Sequence, residues 1–131
     1  MSEIHGTVWW SELMTRDIPG ALEYYEAICG WRIEPMQMPE GAYYLCSQGD
    51  KPMAGIMDMS GMSHLDGVPP HWFTYVAVED LNVALEQTHA HGGIVQREPW
   101  EVPGIGRISI VTDTTGAAVG LIEPAEKDNQ T

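Results

Sequence analysis

Apolar residues follow a helical period in two stretches of the chain. From Ile18 to Cys29 they recur at i, i+3, i+4, i+7, i+10 and i+11, a spacing that predicts an amphipathic helix. Asp17 precedes this stripe as a capping residue, and Gly30 follows it as a helix stop. A second stretch, behind Asp80, repeats the scheme. We therefore predict two helices, each able to cover one face of a sheet.

The segments around the helices carry the short apolar, aromatic and β-branched runs typical of strands. Gly49-Asp50 in the first half and a four-residue turn at 113–116 in the second have the composition of hairpin connections. Each half therefore reads as β-α-β-β-β. The predicted strands are 7–13, 31–38, 42–48 and 53–59, followed by 71–78, 94–102, 107–112 and 117–123.

The two halves are copies of each other. At a shift of 63 residues, six of fourteen positions are identical between 17–30 and 80–93. At a shift of 65 residues, the last strands match as well, with Gly55 on Gly120 and Asp58 on Glu123. Such self-similarity is typical of duplicated modules that cannot bury their apolar faces alone.

The repeat predicts an α+β domain made of two βαβββ modules. One helix covers one face of each four-stranded sheet, so the two open faces are expected to form a curled mixed sheet around a shared cavity, with the helices outside. We expect a single domain over 1–131, with module 1 at about 5–60, a linker at 60–70 and module 2 at about 71–125.

Composition narrows the possible partners. The 19 acidic residues against 6 Lys and Arg give a formal charge of −13, which disfavours nucleic acid and anionic membranes as partners. No basic or apolar leader and no apolar run near the ~20 residues of a membrane span is present. Two cysteines outside any metal-type spacing suit a reducing compartment. We expect a cytoplasmic protein.

Three stretches resemble the vicinal oxygen chelate superfamily, which includes glyoxalase I, bleomycin resistance proteins and extradiol dioxygenases. They are Trp-Ser-Glu-Leu-Met-Thr-Arg-Asp at 10–17, Val-Ala-Val-Glu-Asp-Leu at 76–81, and Asp-Thr-Thr-Gly-Ala-Ala-Val-Gly-Leu-Ile-Glu-Pro at 113–124. The first looks most like the glyoxalase-like branch. The resemblance implies a small-molecule ligand in the cavity and allows a homodimer.

The resemblance also implies a divalent metal, held by one first-strand residue of each module and by last-strand carboxylates. Glu123 and Asp58 occupy the last-strand positions, but Trp10 and Phe73 occupy the first-strand positions and cannot bind a metal. The ligand set is therefore incomplete, and the sequence leaves metal binding open. A displaced set would comprise Glu12, Asp58, His71 and Glu123.

Glu12 stands in the middle of a predicted strand, where a solvated carboxylate is unexpected. A carboxylate there must be paired or have a raised pKa, which makes it a candidate proton-transfer group. We predict Glu12 and Glu123 as catalytic, although a strand-end Glu123 could equally face solvent. The predicted substrate-binding residues are Trp10, Asp58, Phe73 and Tyr75.

Two functions follow from this reading. The first is a glyoxalase-like enzyme of lyase, isomerase or dioxygenase type, which acts on a small oxygenated, partly apolar molecule with or without a metal. The alternative is a non-catalytic protein that sequesters such a molecule, as bleomycin resistance proteins do. The same rings and carboxylates would serve either.

Overall fold

A computed structural model describes residues 3–38, 41–102 and 104–125. It confirms the predicted α+β fold, in which each half runs β-α-β-β-β. Neither α-helix in this described part is long and apolar enough to cross a bilayer. The elements are β1 (Val8–Thr15), α1 (Ile18–Cys29), β2 (Arg32–Met38), β3 (Gly41–Gln48), β4 (Lys51–Asp58), β5 (His71–Ala77), α2 (Leu81–Ala90), β6 (Ile94–Val102), β7 (Gly106–Thr112) and β8 (Ala118–Pro124).

The chain forms two compact units. The first unit comprises Trp10–Phe73, and the second comprises the residues up to Trp9 together with those from Thr74 onward. The predicted linker at 60–70 belongs to the first unit and contains a short 3₁₀ turn, Ser63–Leu65. Arg16 contacts this segment, because its guanidinium donates hydrogen bonds to the carbonyls of Val68, at 2.9 Å, and Leu65, at 2.7 Å. The division into a single two-module domain stays a prediction.

In the first unit the strands lie in the order β2-β3-β4-β1. Strands β1 and β4 are parallel, with Glu12 opposite Gly55 and Leu13 opposite Ile56, while the other pairs are antiparallel. Helix α1 packs on the face that carries Leu13 and Ile56. The buried core there comprises Leu13, Ile18, Cys46, Ala54 and Ile56, with Ala21, Leu22, Tyr25, Trp31, Ile33 and Tyr44 packed around it.

Helix α1 begins and ends where the sequence predicts. The Asp17 carboxylate accepts a hydrogen bond from the Gly20 backbone N–H at 3.0 Å, which satisfies one of the free donors of the first turn. Gly30 takes the left-handed conformation, with φ of 67°, and its N–H donates to the Glu26 carbonyl. A left-handed helix stop is the conformation for which glycine is favoured.

The second unit repeats this arrangement with strand order β5-β8-β7-β6. Strands β5 and β8 are parallel, with Tyr75 opposite Gly120. Asp80 caps helix α2 by accepting from the Val83 N–H at 3.2 Å. The buried core under the helix comprises Val78, Leu81, Leu85 and Val111, with Ala84, Val95, Val119 and Leu121 around it.

The two cysteines are both free but differ in environment. Cys29 is exposed at the end of α1, whereas Cys46 is fully buried in the core of the first unit. Burial raises the pKa of the Cys46 thiol to about 11. Since the thiolate is the reactive form, Cys46 is protected both sterically and by its protonation state.

We expect one fast-reacting thiol per native chain. With a disulfide reagent at pH 8, Cys29 should react promptly and Cys46 only when the core opens, so that two thiols are counted in denaturant. Absorbance of the released chromophore gives both counts. Cys29→Ser should remove the fast phase, and rapid labelling of two thiols in the native protein would contradict the buried position of Cys46.

Candidate functional site

Three side chains, those of Trp10, Tyr43 and Glu12, form hydrogen bonds on the face of the first unit opposite α1. The Trp10 indole N–H donates to the Tyr43 hydroxyl at 2.9 Å. The Tyr43 hydroxyl in turn is hydrogen-bonded to the Glu12 carboxylate. Because Leu13 packs under α1, pleating places its neighbour Glu12 on the other face. The predicted pair Trp10 and Glu12 is thus joined through a third residue.

Tyr43 acts in this contact as a neutral hydrogen-bond donor. Burial, together with the nearby Glu12 carboxylate, raises the pKa of the Tyr43 hydroxyl far above its usual value. The side chain is 9% exposed. It therefore keeps its proton throughout the physiological pH range and donates it to Glu12 while it accepts from Trp10.

Gly55 makes room for the Tyr43 ring. A Cβ added at Gly55 would overlap the Tyr43 hydroxyl and ring. Because Gly55 is also the register partner of Glu12, the ring reaches its position beside Glu12 only across a residue without a side chain. Tyr43 was not predicted as a site residue. A glycine inside an apolar strand was the signal that could have indicated it.

Phe73 and His71 also belong to the first unit. Their rings contact each other, with centroids 6.5 Å apart. The His71 Nδ1 lies 2.8 Å from the Pro69 carbonyl, which occupies one of its two nitrogens. Both side chains are half-buried. Their predicted roles, substrate binding for Phe73 and metal binding for His71, stay predictions.

Asp58 lies at the end of β4 on the same face as Ile56, which packs against α1. Its Oδ1 accepts from the Ser60 N–H at 2.9 Å and from the Ser60 hydroxyl at 2.6 Å. These contacts close the turn after the strand. The structure therefore gives Asp58 a local structural role and does not bring it to the Trp10, Tyr43 and Glu12 group.

Glu123 occupies the equivalent place in the second unit. It follows Leu121 on the face of β8 that packs against α2. Its Oε1 accepts from the Leu81 N–H at 2.9 Å and lies 3.8 Å from the Arg107 guanidinium. Glu123 thus caps the first turn of α2 alongside Asp80. A negative group at a helix N-terminus is stabilising.

Tyr75 is the remaining predicted residue, and it is buried against Gly120. A Cβ at Gly120 would overlap the Tyr75 ring. Tyr75 corresponds to Glu12 at the 63-residue shift, and Gly120 to Gly55 at the 65-residue shift. Both units therefore seat a tyrosine ring on the equivalent glycine, although the ring comes from β3 in the first unit and from β5 in the second.

An open surface cavity of about 360 Å³ lies within the second unit. None of the predicted site residues lines it. His5 contributes one wall, and its Nδ1 accepts from the Glu79 N–H at 2.9 Å. The candidate site is accordingly defined by the Trp10, Tyr43 and Glu12 contacts and not by this cavity. The lining residues are His5, Glu79, Asp80, Val83 and Ala84.

A sequence profile of the Glyoxalase/Bleomycin resistance protein/Dioxygenase superfamily matches residues 7–121. The chain belongs to this superfamily. The match spans both copies of the repeat, so it confirms the resemblance drawn from the three sequence stretches.

Relatives within the glyoxalase superfamily carry different names. The Mycobacterium tuberculosis protein CFP32, provisionally named a glyoxylase, is 35% identical over 121 residues, which cover 92% of this chain and 45% of the relative. The anthracycline biosynthesis protein DnrV of Streptomyces peucetius is 29% identical over 123 residues, covering 94% of this chain and 43% of the relative. The chain thus spans about half the length of the curated relatives it matches.

Solved structures share the fold. A methylmalonyl-CoA epimerase from Mycobacterium tuberculosis superimposes with a TM-score of 0.66 at 18% identity, covering 100% of this chain and 97% of that one. The protein BH1468 from Bacillus halodurans superimposes with a TM-score of 0.71 at 10% identity, covering 93% and 96%. At these identities the similarity concerns the superfamily fold alone.

The residues present do not fit the metal arrangement that the superfamily implies. No three His, Cys, Asp or Glu side chains cluster as potential ligands within the described residues. Trp10 and Phe73 stand at the first-strand ligand positions, and Asp58 and Glu123 hold backbone N–H groups. The assignment of Asp58, His71 and Glu123 as metal ligands stays a prediction that this geometry does not support.

We expect Glu123 to behave as a helix cap. Glu123→Ala should lower the free energy of unfolding by about 1 kcal/mol, since it leaves the Leu81 N–H without this acceptor. Glu123→Gln keeps an acceptor oxygen and should cost less. Urea unfolding followed by circular dichroism measures both. Two equally stable variants, each with reduced bound metal, would instead support a ligand role.

Proposed function

We propose that this chain is a glyoxalase-like enzyme in which Glu12 moves a proton on a small oxygenated, partly aromatic molecule. The observation that carries the proposal is the hydrogen-bonded group of Trp10, Tyr43 and Glu12 on the sheet face opposite α1. It places a carboxylate with a fixed orientation beside an aromatic ring. Membership of the superfamily supports a glyoxalase-like reaction, and the contacts of Glu12 support its role in proton transfer.

Glu12 has the properties of a proton-transfer group. It is half-buried, and its carboxylate has a hydrogen-bond donor in Tyr43, so that it is held in one orientation. A positioned carboxylate can take a proton from a carbon next to a carbonyl; the electron pair of the broken C–H bond then moves onto the carbonyl oxygen. When the first carbon carries a hydroxyl group, its O–H proton moves to the former carbonyl oxygen and Glu12 returns the abstracted proton to the former carbonyl carbon. The carbonyl and the hydroxyl have then exchanged places, with no net change in protons.

The ligand class follows from rings and charge. Trp10 offers a half-buried ring with its N–H engaged by Tyr43, which suits stacking on a planar ligand. A chain charge of −13 disfavours a polyanionic ligand. The name of the relative DnrV, an anthracycline biosynthesis protein, supports a planar, oxygen-rich aromatic molecule. Phe73 and Tyr75 are proposed as further ring contacts for the ligand.

Sequestration without turnover is the second candidate function. It uses the same rings and needs no proton transfer, and the poor fit to the superfamily's metal arrangement favours it over a metal-dependent reaction. The two functions differ in what Glu12 contributes. An enzyme needs the carboxylate for turnover, whereas a binding protein needs it only for affinity.

Replacement of Glu12 should separate these functions. Glu12→Gln keeps the size of the side chain but removes the base, so we expect turnover to fall by about 100-fold or more with binding changed only slightly. The probes are the hemithioacetal of methylglyoxal and glutathione, assayed spectrophotometrically, and 1,8-dihydroxyanthraquinone, whose binding is followed by tryptophan fluorescence and whose conversion is followed by chromatography.

Glu34→Gln is the matched control, because Glu34 is an exposed carboxylate of the same unit that pairs with Arg32 at 3.7 Å. It should leave binding and turnover unchanged. Saturable anthraquinone binding with no conversion of either probe would favour sequestration. Equal turnover by the wild type and Glu12→Gln would exclude Glu12 as the base.

We also propose that the protein forms a homodimer. The chain covers only 45% of CFP32, so relatives of this type carry further polypeptide within one chain. The outer surface of α1 exposes apolar side chains, with Tyr24 55% and Ile28 63% exposed. Burial of such side chains against another copy would be favourable.

Light scattering coupled to size exclusion tests this directly. The chain mass is 14.5 kDa, so a dimer (2 × 14.5 kDa) should give about 29 kDa. The mass should fall toward the monomer value on dilution if the pairing is weak. A monomer at high protein concentration would contradict the proposal.

A further inference from the structure

We propose that Tyr43 is the positioning residue for Glu12 and that the absence of a side chain at Gly55 makes room for the Tyr43 ring. The inference rests on the proposed function of Glu12 for its catalytic meaning but on the geometry alone for the contact. Tyr43 comes from β3, two strands away from Glu12 on β1. It is the one tyrosine that the described contacts show bonded to both Trp10 and Glu12.

The direction of the hydrogen bonds fixes the arrangement. An indole N–H can only donate, so the Tyr43 oxygen accepts from Trp10 at 2.9 Å. The hydroxyl proton is then directed to Glu12, whose ionised carboxylate can only accept. Trp10 therefore sets the rotation of the hydroxyl, and Tyr43 sets the orientation of the carboxylate. Hydrogen bonds to an ionised acceptor are also stronger than neutral ones.

Gly55 is the requirement that makes the contact possible. It lies between the two residues in the sheet, opposite Glu12 on one side and opposite Leu45 on the other. A methyl group at this position would occupy the space of the Tyr43 hydroxyl. Gly55 does not have a positive φ, so backbone conformation does not explain the glycine. The close approach of the ring does.

The second unit provides an internal comparison. The positions equivalent to Trp10, Glu12 and Tyr43 are Phe73, Tyr75 and Ile108, and none of these is charged. There the ring that lies against the equivalent glycine, Gly120, is Tyr75 itself. The carboxylate at this position is thus a feature of the first unit. Both copies of the repeat carry the glycine, and in the first unit it lies opposite Glu12.

A donor aimed at a carboxylate stabilises its ionised form. Removing that donor should therefore raise the pH at which Glu12 titrates. In Tyr43→Phe the ring remains in the Gly55 notch and only the hydroxyl is lost, so the change isolates the hydrogen bond. Gly55→Ala should displace the whole ring and give the same change in titration from a different position in the chain.

The experiment is carbon-detected NMR titration of the Glu12 side-chain carboxyl in the full chain, assigned by its loss in Glu12→Gln. We expect the midpoint to rise by about one pH unit in Tyr43→Phe, which is the shift for loss of a modest charge-assisted hydrogen bond. Tyr44→Phe is the matched control, since Tyr44 is the next residue on β3 and packs toward α1. It should leave the midpoint unchanged.

The outcomes separate this inference from the proposed function. An unchanged Glu12 midpoint in a folded Tyr43→Phe variant overturns the positioning role, whatever the enzyme assay shows. A raised midpoint without turnover of either probe upholds the positioning role and leaves the proposed enzyme unsupported. With turnover, the acid limb of kcat/KM should move with the midpoint. If Gly55→Ala fails to fold, Trp10→Phe, which frees the hydroxyl to rotate, should produce a smaller shift in the same direction.

Discussion

The packing of Leu13 and Ile56 beneath helix α1 fixes the register on which the candidate site depends. These two residues are direct partners in the parallel β1–β4 pair, and both are buried in the same core. Because side chains alternate along a strand, that burial sends Glu12 and Gly55 together to the opposite face. A slip of one residue would bring Glu12 under the helix and expose Leu13, at the cost of burying a charge and losing apolar contact. The acid is therefore held on its face by apolar residues that pack on the opposite face.

Local patterns were enough to predict most of the fold. The caps Asp17 and Asp80 and the helix stop at Gly30 depend on residues close in sequence, so their signals can be recognised without a structure. The strand limits depend on local signals as well, and the predicted limits lie within two residues of the observed ones. The duplication then supplied the topology, since each module had to reproduce the other. The role of Trp10 in a polar contact with a neighbouring strand could not be predicted in the same way. Its partner Tyr43 is 33 residues away.

The last-strand carboxylates show where sequence reasoning about a site is weakest. Asp58 and Glu123 occupy equivalent positions at strand ends, and the repeat makes them look like a matched pair. Side chains alternate between the two faces along a strand, so the face on which each carboxylate lies is set by which neighbouring residues pack under the helix. Ile56 and Leu121 do so, and each is two residues before its carboxylate. Both acids therefore lie on helix-packed faces, where backbone N–H groups of a turn or a helix end occupy them. Carboxylates can bind a metal, but these two accept hydrogen bonds from backbone N–H groups.

The same alternation of side chains determines the sheet face on which Gly55 and Gly120 lie. Gly55 and Gly120 are the neighbours of those core residues, so a side chain at either position would project from the face opposite the helix. Each instead admits a tyrosine ring from an adjacent strand. Once the ring is seated, the identity of the first-strand residue decides what the face can do. A tyrosine at that position, Tyr75, places its own ring against the glycine. A glutamate, Glu12, leaves the notch to Tyr43 and gains a hydrogen-bond donor. At these equivalent positions the two halves of the chain thus differ in which residue of the first strand lies opposite the glycine.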